Sequence, residues 1–285
     1  MNHQKVRLAA GLYFVATPIG TARDITLRAL DVLASADVIA AEDTRSLRHL
    51  MEIHGVPLEG RRIVSYHDYS AEGARKRLLD ALAEGQSVAY ASEAGMPLIA
   101  DPGYDLSRAA GEAGHLVTAA PGASAVLTAL TLAGLPTDAF FFAGFLPNAK
   151  AARRSRLETL RMVPGTLVFY ESPKRVAASL SDMADVLGPD RPAALCRELT
   201  KKFEEVRRGS LRDLAESAVA DPARGEIVLV VDRAGAEIVK ESDVEEDLIA
   251  ALKQGSVKDA ADLVSRMHDM PRRKVYQMAL KLAKG

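Results

Sequence analysis

A chain of 285 residues, 48% apolar and 26% charged, holds enough material for two α/β domains or one large domain with an appendage. A net charge of −1 excludes a uniformly basic RNA coat but allows local basic surfaces. The single cysteine, Cys196, excludes an intramolecular disulfide, and the six histidines show no metal-binding spacing, so no dedicated metal site is expected.

The first predicted element is GLYFVAT at residues 11–17, a strand-like run too short to span a membrane, and no signal peptide or transmembrane helix is read around it; the expected location is the cytoplasm. DITLRALDVLASA follows, with Ile25, Leu30 and Leu33 near one helical face. The alternation continues: DVIAAE then TRSLRHLMEIHG, RRIVSYH then AEGARKRLLDALAEG, SVAYAS then YDLSRAAGEAG, and HLVTAAPG then a helix from about Ser124 to Leu132. This βα repetition predicts a largely parallel sheet covered by helices. A second set of strands begins near Ala139 with AFFFAGF, GTLVFYES, PAALCREL, FEEVRRGS and GEIVLVVD, with helices at RRSRLETLRMV and RVAASLSDMADVLG. FEEVRRGS and GEIVLVVD stand close together, so part of this sheet is expected to be antiparallel. After Val239 three short helices are predicted, SDVEEDLIAALKQG, SVKDAADLVSRMHDM and PRRKVYQMALKLAKG. The expected division is an N-terminal α/β domain over 1–134, a second α/β domain over 135–238 and a helical extension over 239–285.

Common nucleotide signatures are absent: no GxGxxG follows a strand and there is no GxxxxGK[ST]. GASAV around Ser124 lacks the second glycine of a nucleophile elbow, which argues against a hydrolase. What stands out instead is five turns at the carboxyl ends of predicted strands: ATPIG (Ala16–Gly20), AEDTR (Ala41–Arg45), SEAGMPLIADPG (Ser92–Gly103), PGASA (Pro121–Ala125) and YESPKR (Tyr170–Arg175). Ligands of open α/β sheets sit at such strand ends, although glycine and proline are common in any α/β connection.

The ordered set, with GMPLIADPGYDL, PGASAVLTALTLAGLPTDAFFFAGFLP, FYESPKR, RELTKKFEE and GEIVLVV, resembles the tetrapyrrole methylase superfamily over about residues 11–232. Within it, the set is similar to the branch that methylates a cytidine ribose 2′-hydroxyl at the decoding site of small-subunit (16S) ribosomal RNA, and the C-terminal helices resemble that branch's extension. The resemblance implies two α/β domains holding S-adenosylmethionine in the cleft between them, commonly in a homodimer. It implies that Pro18, Ser92, Glu93, Met96, Ser124, Ala125 and Tyr170 line the donor pocket, with Leu199 as a further candidate. Two segments depart from the branch: Glu93 and Met96 replace its Asp and Thr, and Tyr69, Ser70 and Ala71 replace its His-Asn-Glu.

Methylation of a ribose hydroxyl needs a group to accept its proton. Glu42, Asp43, His67, Asp101, Glu171 and Glu198 stand near strand ends, and Asp43 and His67 are the favoured catalytic candidates. Asp43 reads equally as a cap for the helix beginning at Thr44, or as a partner of Arg45. An RNA partner needs local positive charge. Residues 147–161 hold five basic residues against one acid, 197–212 six against three, and 256–285 seven against three. The candidate RNA contacts are Arg45, Lys174, Arg175, Lys201, Lys202, Arg272, Arg273 and Lys274. The competing readings are a C-methyltransferase acting on a tetrapyrrole and an RNA-binding protein that has lost catalysis.

Overall fold

The computed structural model describes residues 3–66, 71–234, 241–253, 255–267 and 271–283. It divides into two units, Met1–Arg233 and Ala234–Gly285.

The first unit holds two sheets. In the first sheet, β1 (Gly11–Val15), β2 (Val38–Ala41), β3 (Ile63–Ser65), β4 (Ser87–Ala91) and β5 (Val117–Ala120) run parallel in the order β3-β2-β4-β1-β5. β1 and β4 are buried throughout because helices cover both faces, the arrangement that requires apolar residues at every strand position. Alternate side chains feed separate cores. Tyr13 and Val15 pack with α1 (Leu27–Ser35) and α2 (Thr44–Ile53), while Leu12 and Phe14 pack with α3 (Ala71–Ala83) and α4 (Tyr104–Glu112).

In the second sheet, β6 (Phe140–Phe145), β7 (Thr166–Glu171), β8 (Pro192–Arg197), β9 (Glu205–Ser210) and β10 (Ile227–Val231) take the order β6-β7-β10-β8-β9. β6 and β7 are parallel, and the other neighbours are antiparallel. The expected antiparallel character is present, but β9 and β10 do not pair with each other; both pair with β8. Between them lies α8 (Leu211–Ala220), which the sequence reading leaves unassigned. Its start is a capping box, with Asp213 N donating to Ser210 Oγ at 3.1 Å and Ser210 N to Asp213 Oδ2 at 2.9 Å.

α6 (Lys150–Leu160), α7 (Val176–Leu187) and α8 cover one face of this sheet. Its other face receives α5 (Ala125–Ala133), whose Val126, Ala129 and Leu130 pack on Val168, Ala194, Cys196, Val228 and Val230. So a helix that leaves the first sheet packs on the second, joining the two at the carboxyl end of β5. Burial pushes the Cys196 thiol up to about 11, which keeps it protonated and inert.

The second unit contains α9 (Glu241–Leu252), α10 (Val257–Met267) and α11 (Arg272–Leu282) around Val244, Leu248, Ala261, Val264, Val275 and Ala279. Pro271 is the N-cap of α11, where its missing N–H costs nothing. The boundary expected at residue 238 falls outside the described residues.

Candidate active site

Parallel pairing puts the carboxyl ends of β4, β1 and β5 side by side, so the turns after them share one edge. Ile19, Glu93–Met96, Ile99–Asp101, Ser124 and Ala125 from that edge form one wall of a cleft of about 390 Å³, within the usual range for small-molecule sites. The second sheet supplies the other wall by register. Phe145 pairs with Tyr170, and Ile227 pairs with Glu171, which brings the end of β7 beside the start of β10. Phe145, Tyr170, Glu171 and Glu226–Val228 accordingly face the first wall.

The loop after β4 is braced from within. Thr17 and Gly95 exchange two backbone hydrogen bonds of 3.0 Å, and Ser92 Oγ donates to Gly95 O at 2.6 Å. Gly95 has φ +83°, and a Cβ there would crowd Ile19 at 3.2 Å, so only glycine brings the main chain this close to the cleft. Ser124 caps α5 without a side-chain hydrogen bond, leaving N–H groups at the start of that helix available to a ligand.

The charge of the cleft is one-sided. Glu93, Asp101, Glu171 and Glu226 line it, and among the described residues no Lys or Arg does. Glu171 is committed to the fold, accepting from Ser172 N at 2.8 Å and Ser179 Oγ at 2.6 Å. Glu226 pairs with Lys201 at 3.1 Å. Asp101 is different: its Oδ2 is buried without a hydrogen-bond partner. Burial first, then the Glu42 and Glu93 carboxylates, push its carboxyl up to about 7. Burial, with Asp101 and Glu226 nearby, pushes the Tyr170 hydroxyl up to about 12, so it stays a donor.

Of the residues expected at a donor pocket, Glu93, Met96, Ser124, Ala125 and Tyr170 line the cleft. Ser92 stands behind the wall as a brace, Pro18 lies beside Ile19 outside the lining, and Leu199 is buried with Ile19 in the α5 core. Asp43 is the N-cap of α2, accepting from Arg45 N at 2.7 Å and Ser46 N at 3.2 Å. Those N–H groups, Ser46 foremost, hold its carboxyl below the usual range, and it is not part of the lining. His67 lies outside the described residues. Asp101 was one carboxylate among several in the sequence; its isolation shows only in three dimensions. Phe145, Glu226 and Ile227 reach the cleft through strand register, which leaves no local signal.

The basic runs are partly consumed by the fold. Arg153 pairs with Asp182 at 2.7 Å and Arg154 with Asp185 at 2.7 Å. Arg175 donates to Leu146 O and pairs with Glu171, Lys201 pairs with Glu198 and Glu226, and Arg272 pairs with Asp262. Arg45, Lys174, Lys202, Arg273 and Lys274 remain exposed. Lys202 lies over the ring of exposed Phe203. A count of charges along the chain therefore overstates the free cations.

The family of tetrapyrrole (corrin/porphyrin) methylases matches residues 11–215, and the RsmI C-terminal HTH domain matches residues 239–283. The chain is 47% identical to the ribosomal RNA small subunit methyltransferase I of Mesorhizobium japonicum, over 96% of this chain and 93% of that protein. It is 41% identical to the protein of that name from Escherichia coli O157:H7, over 98% of each. Among solved structures it shares its fold with cobalt precorrin-4 methyltransferase, at TM-score 0.59 and 17% identity over 78% of this chain and 94% of that one. It likewise matches uroporphyrin-III C-methyl transferase from Thermus thermophilus complexed with S-adenyl homocysteine, at TM-score 0.54 and 20% identity over 79% of this chain and 98% of that one.

Proposed function

The chain belongs to the tetrapyrrole (corrin/porphyrin) methylases, and from that premise we propose that it is the S-adenosylmethionine-dependent methyltransferase that 2′-O-methylates the ribose of a decoding-site cytidine in 16S ribosomal RNA. The relatives that match it end to end carry the name of a small-subunit ribosomal RNA methyltransferase. The observation that carries the donor is the cleft's charge: four carboxylates and no described cation on its lining.

Such a site repels phosphates and suits a ligand with positive charge at sulfur and nitrogen. The donor supplies a methyl group already activated by the sulfonium charge. The protein's part is to hold and align it. Gly95 and Ala94 let the backbone approach, Ser124 and Ala125 offer the helix N–H groups, and Glu93 complements the cationic groups. Tyr170, flanked by Phe142 and Phe145 with ring centroids 4.9 and 5.6 Å away, gives an aromatic wall with a donor hydroxyl. A tetrapyrrole acceptor fits poorly, because its carboxylate-bearing rim would need cations at the cleft.

RNA contacts belong to the exposed cations: Arg45, Lys174, Lys202, and Arg273 and Lys274 in the second unit. Exposed Phe140 and Phe141 on the edge strand β6 favour a homodimer. No helix among the described residues is long and apolar enough to cross a membrane, and an acceptor in ribosomal RNA supports a cytoplasmic location.

The test pairs donor binding with transfer. Ser124→Trp fills the cleft, so calorimetry should show loss of S-adenosylmethionine binding in a folded protein, and labelled methyl transfer to purified small subunits should stop. Undiminished donor affinity would remove the donor from this cleft.

A further inference from the structure

Resting on that reading, we propose that Asp101 is the base that takes the proton of the acceptor hydroxyl, and that the turn from Leu98 to Gly103 is built to hold it. The turn carries unusual backbone. Leu98 and Ala100 have φ of +73° and +63°, and Gly103 has φ +121°. Non-glycine residues adopt such values at an energetic cost and are held there by their surroundings. The surroundings are on hand: the buried Tyr90 hydroxyl donates to Pro102 O at 3.0 Å, and Gly103 sits where a Cβ would strike Leu98 at 2.7 Å.

What this scaffold presents is a carboxyl group that does nothing for the fold. Asp101 Oδ2 is buried without a hydrogen-bond partner, and among the described residues nothing forms a hydrogen bond or ion pair with the other oxygen. A partly buried carboxylate without a partner weakens a protein. The charged or titratable groups facing it are Glu42 at the end of β2, Glu93 after β4, Tyr170 and Glu171 on β7, and Glu226 before β10. Among the described residues none of these is a cation, which leaves a ligand as the group to compensate Asp101.

The chemistry follows from that isolation. A carboxyl pushed up to about 7 is basic enough to accept a proton and still ionised in large part at neutral pH. A sulfonium in the cleft favours its charged form further. In the step itself the ribose O–H bond breaks with its proton going to Asp101, the oxygen pair forms the bond to the methyl carbon, and the carbon–sulfur pair returns to sulfur. Asp43 is the weaker base of the two, because two N–H groups of α2 on its Oδ1 hold its carboxyl below the usual range. Tyr170, protonated across the working range, can orient the same hydroxyl.

The test uses the full chain and Asp101→Asn, with Asp101→Glu as a second variant that keeps the carboxyl. Single-turnover methyl transfer to purified small subunits is measured against pH, and S-adenosylmethionine binding is measured by calorimetry in buffers of different ionisation enthalpy. Wild type should show a rate that rises with pH to a plateau, and near pH 6.5 donor binding should release about half a proton per site. Asp101→Asn should lose about 100-fold or more in rate, lose both the pH limb and the proton release, and keep donor affinity within about fivefold; Asp101→Glu should recover part of the rate and the release. A rate within about threefold of wild type with an unchanged pH profile overturns the proposal. So does a rate loss that follows a matching loss of donor affinity, since Asp101 would then be an anchor for the donor. A wild-type protein that binds donor and releases the proton but methylates no small subunit overturns instead the choice of acceptor made in the preceding section.

Discussion

At the scale of single residues, two aspartates at strand ends have opposite electrostatic surroundings. Asp101 has a folded-state pKa of about 7 against 3.8 for the free side chain. Between those values the native protein binds more protons than the unfolded chain, so its contribution to stability is present at low pH and is lost as pH rises toward 7. The full shift would correspond to about 4 kcal/mol, but water reaches part of the group, so on the order of 1–2 kcal/mol is expected. Asp101→Asn should therefore be more stable than wild type by that amount at about pH 8, with the gain fading toward pH 4, as read by denaturant midpoints at each pH. Asp43 behaves conversely, because its pKa is lowered by the cap. Asp43→Ala should cost about 1 kcal/mol, and Asp43→Asn, an equally good cap, should cost little. A large loss of turnover in Asp43→Asn at unchanged stability would return this residue to the chemistry. The sequence alone could place both aspartates after strands. It could not tell a carboxylate held by N–H groups from one surrounded by other carboxylates, because Glu42 reaches Asp101 from the separate loop after β2.

At the scale of elements, the βα units of the first sheet are legible because each strand and its helix are contiguous and the hydrophobic period changes between them. The second sheet is less so. β10 lies between β7 and β8, and its partners are far away in sequence. α8 went unassigned although Ser210 and Asp213 stand at capping-box spacing. The basic run on α6 was also ambiguous. Arg153 and Asp182 are both buried and join α6 to α7, with Arg153 Nε donating to Asp182 Oδ2 at 2.7 Å. Arg153→Ala should cost about 3–5 kcal/mol by leaving Asp182 buried with a weakened partner set, measured by chemical denaturation. If stability holds and RNA binding falls instead, Arg153 is a nucleic-acid contact after all. On α11 the expectation is reversed: Arg273 and Lys274 are exposed and without a described partner, whereas Arg272 pairs with Asp262. Arg273→Glu with Lys274→Glu should weaken RNA binding and lower its salt slope by about 1 to 2, leaving donor affinity unchanged. Unchanged affinity and slope would assign this helix start to another role.

At the scale of the whole molecule, parallel pairing turns a list of glycine- and proline-rich turns into a single edge. The turns after β1, β4 and β5 were visible in the sequence as punctuation, and their adjacency follows from the order β4-β1-β5. The facing wall was not visible, since Phe145, Tyr170 and Glu226–Val228 meet only through the register of the second sheet. The absence of cations from the described lining was beyond the sequence as well, because Arg175, close in sequence to Glu171, and Lys201 are taken up by Glu171, Glu198 and Glu226. The acidic cleft and the exposed cations elsewhere both support the proposal of an enzyme that binds a cationic donor in a pocket and an RNA over its surface. The most direct test of that account is to map ribose methylation on small-subunit ribosomal RNA from cells that have the protein, cells that lack it, and cells that carry only Ser124→Trp. A decoding-site cytidine 2′-O-methyl group present in the first and missing from the other two is the result expected; an unchanged methylation map in the cells lacking the protein would contradict it.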